Sequence, residues 1–224
     1  MFVSRTGFQY RKIISSSLCF RPQFRSFAAM VLPDDIVIER DEMLNFMKKC
    51  VVTAGAEESH ALQLAEVLVD GDARGHYSHG LNRLDMYVRD LQQKTTACSG
   101  EPTVLNDKAA TAWVNGNNLL GPVVGNYSMD LAIRKAKEVG VGWVVAKGSN
   151  HFGIAGHYSI RAMKEGLLGL AFTNTSPVCY PTRAAKAALG TNPLSLAAAA
   201  TNGDSYVLDM ATTTVAVGKR AESY

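Results

Sequence analysis

Hydrophobic residues recur three and four positions apart in three segments between residues 41 and 91, which is the spacing of one face of an α-helix. The first segment is expected to begin at an Asp41 cap and to stop at Gly55, and the second to end near Gly71. The apolar positions are, in order, Met43, Phe46, Met47 and Cys50; Ala61, Leu64, Ala65 and Leu68; and Leu81, Leu84, Val88 and Leu91. The pattern therefore predicts a helical region at the start of the folded chain.

A polar loop containing glycines, at residues 72–80, precedes the third of these helices. His79, Arg83 and Tyr87 follow at steps of four residues, so they are expected to share a polar face of that helix. Together with Ser78 they offer a proton-transfer group, a guanidinium fork that can grip a carboxylate, and a phenol. This combination suits a carboxylate substrate. A solvated helix face is the competing interpretation, because such spacings are common.

Short hydrophobic runs replace the helical spacing after residue 110. A strand at 112–114 and an Asn115-Gly116 turn are expected to lead into a helix over 123–139 that ends at Gly140. Runs at 142–146, 167–172 and 206–208 each end in polar residues, and a helix over 156–165 separates the first two. These elements predict a mixed α/β domain. If the three runs lie in one sheet, their polar ends converge where ligands usually bind.

Two polar residues stand directly behind these runs. His151, in Ser149-Asn-His-Phe-Gly153, is either an imidazole presented to a pocket or a loop histidine held by hydrogen bonds. Asp209 either orients a histidine as a buried carboxylate or caps a helix over 211–217.

Several common site motifs are missing from the sequence. Gly140-Val-Gly142 lacks the third glycine of GxGxxG and no GxxxxGK[ST] occurs, so a Rossmann site or a nucleotide-triphosphate loop is not supported. Metal binding is not expected, because HExxH and CxxC are absent. Hydrolysis by a serine nucleophile, without a GxSxG motif, stays a minor alternative.

Composition and charge narrow the class of protein. The 224 residues are 47% hydrophobic and 19% charged, which is typical of a globular protein, and the longest apolar runs are far shorter than the roughly 20 residues of a membrane span. The formal net charge is +3, but residues 1–29 hold five basic and no acidic residues, which leaves 18 basic against 20 acidic residues elsewhere. Neither a nucleic acid nor a membrane is therefore an expected partner.

Residues 1–29 are rich in arginine and serine and contain no acid, which is typical of a mitochondrial transit peptide. A secretory signal is the competing interpretation, but three serines interrupt its apolar run and arginines follow it. We therefore expect a location in the mitochondrial matrix, or a cytoplasmic form if translation starts at Met30.

Four separated motifs, taken in their order and spacing, carry a resemblance to a known family. They are Arg74-Gly-His-Tyr-Ser-His-Gly-Leu-Asn-Arg83 with Tyr87, Ser149-Asn-His-Phe-Gly153, Gly190-Thr-Asn-Pro193 and Leu208-Asp-Met-Ala-Thr212. Over about residues 36–219 the chain resembles the type-2 malate/L-lactate dehydrogenase family, which also includes ureidoglycolate, sulfolactate and diketogulonate oxidoreductases. The resemblance implies a mixed α/β (α+β) fold with a largely antiparallel sheet, a homodimer, and NAD or NADP bound without a Rossmann motif.

The resemblance also implies a reaction and a set of site residues. The reaction is the interconversion of a small 2-hydroxy acid and a 2-oxo acid, by hydride transfer between nicotinamide C4 and carbon 2. Either His79 or His151 gives the proton to the keto oxygen, and Asp209 orients His79. The implied substrate-binding residues are Ser78, Arg83, Tyr87 and Thr191, and the implied cofactor-binding residues are Thr175, Gly190, Asp209, Met210 and Ala211.

Members of that family continue well past the motif at 208–212, whereas this chain stops at Tyr224. We therefore expect residues 30–110 to form a helical, substrate-side domain and residues 111–224 to form an incomplete part of the NAD(P)-binding domain. A truncated sheet would leave an unpaired edge and an uncovered core, both of which favour aggregation. A second hypothesis follows, in which the chain is a catalytically silent isoform that at most pairs with a full-length subunit.

Overall fold

The computed structural model describes residues 37–213, which contain five α-helices and six β-strands. The helices are α1 (Arg40–Thr53), α2 (Glu58–Ala73), α3 (Leu84–Gln92), α4 (Gly121–Val139) and α5 (Ala155–Lys164). The strands are β1 (Thr103–Asp107), β2 (Thr111–Leu119), β3 (Trp143–Ser149), β4 (Gly169–Phe172), β5 (Leu194–Ala199) and β6 (Ser205–Met210). The predicted transit peptide and the alternative start at Met30 lie outside the described residues.

Helices α1 to α3 and the start of α4 enclose the largest hydrophobic core. All four apolar positions predicted for α2 are buried, which confirms its inner face. The prediction for α1 was wrong at two points. Its buried stripe takes every fourth residue, Met43, Met47 and Val51, which leaves Phe46 on the flank and 51% exposed. The helix begins at Arg40, and Asp41 lies inside its first turn rather than at a cap.

The first sheet has the order β1-β2-β3, with β1 antiparallel and β3 parallel to β2. Helix α4 connects β2 to β3 and covers one face of this sheet, where Ala112, Val114 and Leu131 are buried together. The predicted left-handed glycine after α4 is confirmed, since Gly140 has a φ of 88°. The predicted Asn115-Gly116 turn was wrong, because β2 continues to Leu119.

The second sheet, β4-β5-β6, is antiparallel and packs against α5. The strands predicted at 167–172 and 206–208 and the helix at 156–165 are confirmed, and so is the mixed α/β fold. The three runs do not lie in one sheet, because the run at 142–146 pairs with β2 in the first sheet. The residues described after β6, 211–213, are not helical, and the rest of the alternative helix at 211–217 lies outside the described range.

Each sheet also has a face that carries large exposed hydrophobic side chains. Register places them opposite the helix-covered faces: Trp113, Trp143 and Val145 on the first sheet, and Leu170, Phe172, Tyr206 and Met210 on the second. The rings of Trp143 and Phe172 are in contact, with centroids 5.3 Å apart. These seven residues, here called the outer face, therefore form one apolar surface, and patches of this kind mark interaction sites or cause aggregation.

Within residues 37–213, no helix is both long enough and apolar enough to cross a membrane.

The outer face predicts self-association of the isolated chain. Val145→Lys should shift the population toward the monomer in sedimentation velocity at micromolar concentration, because a lysine there places a charge inside the apolar surface. Val52→Lys is the matched control, since Val52 is 40% exposed on α1, which packs against α2 and α3. Equal effects of the two substitutions would show that the outer face does not drive association.

Candidate active site

The polar loop after α2 folds into two short 3₁₀ turns, Tyr77–His79 and Leu81–Arg83, which lead into α3. The Asp72 side chain fixes this path, because its Oδ2 accepts a hydrogen bond of 2.8 Å from the backbone N–H of Leu81. The turns present Ser78, His79 and Arg83 on one side of the helical core.

Ser78 and Arg83 hold the segment around His79 together. The Ser78 hydroxyl lies 3.0 Å from His79 Nδ1, and Arg83 Nε donates a 2.8 Å hydrogen bond to the Ser78 carbonyl oxygen. Among the described residues, no carboxylate lies within ion-pair distance of Arg83. Within the described residues the guanidinium is thus anchored through Nε and pairs with no carboxylate, which favours the binding of an anion.

His151 reaches the same place from the loop between β3 and α5. Asn150 anchors this loop, because its side-chain amide donates hydrogen bonds to the carbonyl oxygens of Asn118 and Leu119, at 3.2 and 2.9 Å. The start of α4 packs against the loop as well, and a Cβ on Gly121 would lie 2.1 Å from the His151 carbonyl oxygen. Sequence reasoning missed Asn150 and Gly121. The asparagines before α4 and the Gly-Pro at its start were the available signal.

Tyr87 lies in the core beneath His151, not on an exposed face. Only 1% of the residue is exposed, and its hydroxyl lies 2.6 Å from His151 Nδ1 and 3.2 Å from the His151 carbonyl oxygen. The predicted polar helix face of His79, Arg83 and Tyr87 was therefore wrong. The 3₁₀ turns advance about 120° per residue, so the spacing of an α-helix does not carry through them.

The rings of His79 and His151 stack, with centroids 5.6 Å apart and planes inclined by 21°. Two motifs separated by 72 positions in the chain therefore meet. We call Ser78, His79, Arg83, Tyr87 and His151 the histidine cluster.

Both histidines of this cluster favour the neutral state. Burial lowers the pKa of His79 to about 4, helped by the positive charges of Arg83 and His76. The pKa of His151 is also lowered to about 4, first by desolvation and then by His79 and Arg83. His151 is exposed on one side, and the side of its ring that is desolvated lies against Tyr87 and His79. Burial raises the pKa of the Tyr87 hydroxyl, which therefore keeps its proton.

Asp209 lies apart from the histidine cluster. Its Oδ2 accepts a 2.7 Å hydrogen bond from the backbone N–H of Gly156, in the first turn of α5, and burial raises the pKa of this carboxyl. It lines a cavity of 240 Å³ with Arg74 and His76. The hydrogen-bond partner of His79 is Ser78, so the structure shows Asp209 supporting α5 where the resemblance implied that it orients His79.

The other implied cofactor residues gather where β4 ends, β5 begins and β6 ends. The Thr191 N–H donates to Thr175 Oγ1 at 2.7 Å, and the Thr212 N–H donates to the Thr191 carbonyl oxygen at 2.9 Å. Gly190 packs directly against Thr175, and the exposed Met210 ends β6. The buried Thr213 hydroxyl has no partner among the described residues. Hydroxyl and backbone groups of this kind fit the amide and ribose hydroxyls of a nicotinamide nucleotide.

Among residues 37–213, no group of three or more histidine, cysteine or acidic side chains is arranged to hold a metal ion.

The depressed pKa values of His79 and His151 predict a loss of stability in acid. A histidine in an unfolded chain has a pKa near ~6.5. Between that pH and about 4 the unfolded chain therefore binds more protons than the folded one, and the free energy of unfolding falls as the pH is lowered. Urea unfolding at pH ~7 and ~4.5 measures this loss, which should be smaller in a His79→Gln, His151→Gln double variant. An equal loss in both proteins would assign it to other groups.

Comparison with known proteins finds one family profile, described as malate/L-lactate dehydrogenase, which matches residues 38–223. Malate dehydrogenase of Pyrococcus horikoshii is 40% identical over 184 residues, which make up 82% of this chain and 51% of that protein. Malate/(S)-sulfolactate dehydrogenase of Methanothermus fervidus is 40% identical over 189 residues, covering 84% of this chain and 55% of that protein. Ureidoglycolate dehydrogenase (NAD(+)) of Escherichia coli O157:H7 is 31% identical over 182 residues, covering 81% and 52%.

The fold is similar as well. A solved structure of the Pyrococcus horikoshii malate dehydrogenase superimposes with a TM-score of 0.80 at 39% identity, covering 82% of this chain and 53% of that one. The chain thus spans about half the length of the curated relatives it matches.

Proposed function

Since the chain belongs to the malate/L-lactate dehydrogenase family, we propose that it supplies the substrate-binding and proton-transfer groups of an NAD- or NADP-dependent oxidoreductase that interconverts small 2-hydroxy and 2-oxo acids. The observation that carries the proposal is the meeting of two neutral histidines with Arg83, which has no ion-pair partner among residues 37–213. Malate, sulfolactate and ureidoglycolate, the substrates named for the three relatives, are all 2-hydroxy acids with a carboxylate for such an arginine to bind.

Arg83 binds the substrate carboxylate in this proposal. Its Nε is occupied by the Ser78 carbonyl oxygen, which holds the guanidinium plane in place and leaves the terminal nitrogens to the ligand. A guanidinium held in this way loses little further freedom on binding, so the substrate is oriented relative to the two histidines.

His151 exchanges the proton with the substrate oxygen. The Gly153 N–H points at Nδ1 from 3.3 Å, and an amide can only donate, so Nδ1 carries the lone pair in the neutral ring and Nε2 carries the hydrogen. Nε2 is thereby the nitrogen left for the substrate. The bound anion raises the pKa of His151, because a nearby negative charge favours the protonated form. His79, paired with Ser78, contributes a second hydrogen bond to the same oxygen.

A nicotinamide cofactor, held by Thr175, Gly190, Thr191 and the Asp209–Ala211 segment, would supply or take up the hydride at carbon 2. The remaining parts of the proposal are a homodimer and import into the mitochondrial matrix. The arginine-rich residues 1–29 support the import, and fluorescent fusions with and without them distinguish it from a cytoplasmic form that starts at Met30.

The second candidate function is that of a silent partner, which binds a longer subunit of the same family without turning over substrate itself. The apolar outer face favours it, because Trp113, Trp143 and Phe172 expose a surface suited to a protein partner. Oxidation of NADH or NADPH by the folded chain with pyruvate or oxaloacetate would support the enzyme. A folded chain that binds neither cofactor would support the silent partner.

Arg83→Ala should lower kcat/KM for a 2-oxo acid by about 10-fold to 100-fold, mostly through KM, because hydrogen bonds to a charged group contribute roughly 1.5–3 kcal/mol. NADH binding, followed by fluorescence, should be unchanged. Arg89→Ala is the matched control, because Arg89 is exposed and pairs with Asp85 at 2.9 Å. An unchanged KM in Arg83→Ala would contradict the carboxylate-binding role.

The two histidines are separated by single substitutions. His151→Gln should lower kcat by about 100-fold to 10,000-fold, the contribution typical of a proton-transfer group, and His79→Gln should lower it less. Single-turnover rates with NADH measure this step. If the His151 variant keeps its rate and the His79 variant loses it, the roles assigned here are reversed.

A further inference from the structure

The Tyr87 hydroxyl lies between two acceptor atoms of the same residue. His151 Nδ1 is 2.6 Å away and the His151 carbonyl oxygen is 3.2 Å away. A phenol has one hydrogen to donate and lone pairs with which to accept. The geometry therefore allows two arrangements, in which Tyr87 donates to Nδ1, or donates to the carbonyl oxygen while it accepts a hydrogen bond from a protonated Nδ1.

The first arrangement fits the neutral imidazole. The Gly153 N–H, 3.3 Å from Nδ1, requires a lone pair on that nitrogen. Only glycine fits this position, since its φ is +80° and a Cβ would lie 2.3 Å from Val67 Cγ1. Both Gly153 and Tyr87 then donate to Nδ1. The second arrangement fits the charged ring, in which Nδ1 has a hydrogen that needs an acceptor.

We propose that Tyr87 is a positioning residue that acts as a hydrogen-bond switch: its hydroxyl donates to His151 Nδ1 in the neutral ring and accepts from Nδ1–H in the charged ring, so that Nδ1 stays paired while Nε2–H faces the substrate. When the charged ring gives its Nε2 proton to the substrate oxygen, it is left as the neutral Nδ1–H tautomer, whose hydrogen is bonded to the Tyr87 oxygen. The ring returns to the resting Nε2–H form by taking a proton from solvent at Nε2 and losing the one on Nδ1. The inference rests on the proposed function for the identity of the substrate, whereas the hydrogen bonds themselves exist in the free protein.

The charges around His151 explain why a phenol suits this position better than a carboxylate. The groups that face the ring are His79, Arg83 and Tyr87. His79 and Arg83 both oppose protonation of the ring, and Tyr87 keeps its own proton because it is buried in the core. A carboxylate beside Nδ1 would stabilise the charged ring before any substrate arrived. A neutral switch leaves His151 uncharged until an anion binds, and it still satisfies the hydrogen that appears on Nδ1.

The free protein tests the switch by nitrogen-15 NMR of labelled histidine, with the His151 signals assigned by their loss in His151→Gln. In the wild type, neutral His151 should carry its proton on Nε2, and the acid form should show an Nδ1–H that exchanges slowly with solvent. Tyr87→Phe should abolish that slow exchange. Tyr158→Phe is the matched control, because Tyr158 is also buried and its hydroxyl donates to the Phe152 carbonyl oxygen, one residue away.

Three outcomes overturn the proposal: a neutral wild-type ring protonated on Nδ1, a Tyr87→Phe spectrum identical to the wild type, or the same loss in Tyr158→Phe, which would assign the effect to the packing of the loop. None of these depends on turnover. If the NMR results agree with the switch but the protein reduces no 2-oxo acid, the switch stands and the proposed function is contradicted.

A second measurement retains the hydroxyl group at position 87, and it tests the proposal even if Tyr87→Phe does not fold. Site-specific difluorotyrosine at position 87 is a stronger donor and a weaker acceptor than tyrosine. Both changes favour neutral His151, so the pKa of His151 measured by NMR should fall. An unchanged or raised pKa would contradict the switch, and difluorotyrosine at position 158 should leave the value unaltered.

Discussion

The start of α4 meets the backbone of His151 at a point where only glycine fits, and the rest of the site is positioned by this contact. Gly121 follows Leu119 and Leu120, which are buried in the helical core, and it precedes the helix that covers the first sheet. The three consecutive residues 119–121 therefore contact the helical core and the loop of His151 and begin the helix that covers the first sheet, which fixes these parts relative to one another. A shift of α4 would move His151 away from Tyr87 and from the stacked ring of His79.

The electrostatics of the histidine cluster follow from this packing. Two imidazoles and a guanidinium lie close together, and no ion pair of Arg83 is found among residues 37–213; because both histidines favour the neutral state, the cluster carries the single charge of Arg83 rather than three. The cost of adding a second charge falls when an anion arrives, because the ligand compensates Arg83 and lowers the repulsion felt by His151. Under the proposed function, substrate binding at Arg83 and the availability of a proton at His151 are therefore coupled.

The sequence predicted elements and motifs better than the contacts between them. The spacing of buried residues was sufficient for α2, and Gly140 marked the end of α4, because both signals are local. The division into two sheets depends on which strands pair across long separations, and no local pattern of β3 distinguishes β2 from β4 as its neighbour. β1 was missed because its residues are exposed, and β5 because its alanines suit helices as well as strands.

For the site residues, too, the sequence predicted the residue types better than their contacts. The residue types at 79, 83 and 151 indicated chemistry, and the structure brings them together. The place of Tyr87 depended on two 3₁₀ turns that the helical spacing concealed, and Asp209 found its partner in Gly156, 53 positions away. Resemblance named these residues, but only the packing showed which neighbour each one serves.

Gly121 and Gly153 place a limit on how a protein of this design can diverge. A side chain at Gly121 would collide with the His151 carbonyl oxygen, and one at Gly153 would be strained at a φ of +80° and would collide with Val67, although neither glycine contributes any chemistry of its own. An evolving lineage can therefore alter its substrate by changing the side chains that surround the ligand, while the apparatus that aims His151 tolerates almost no variation.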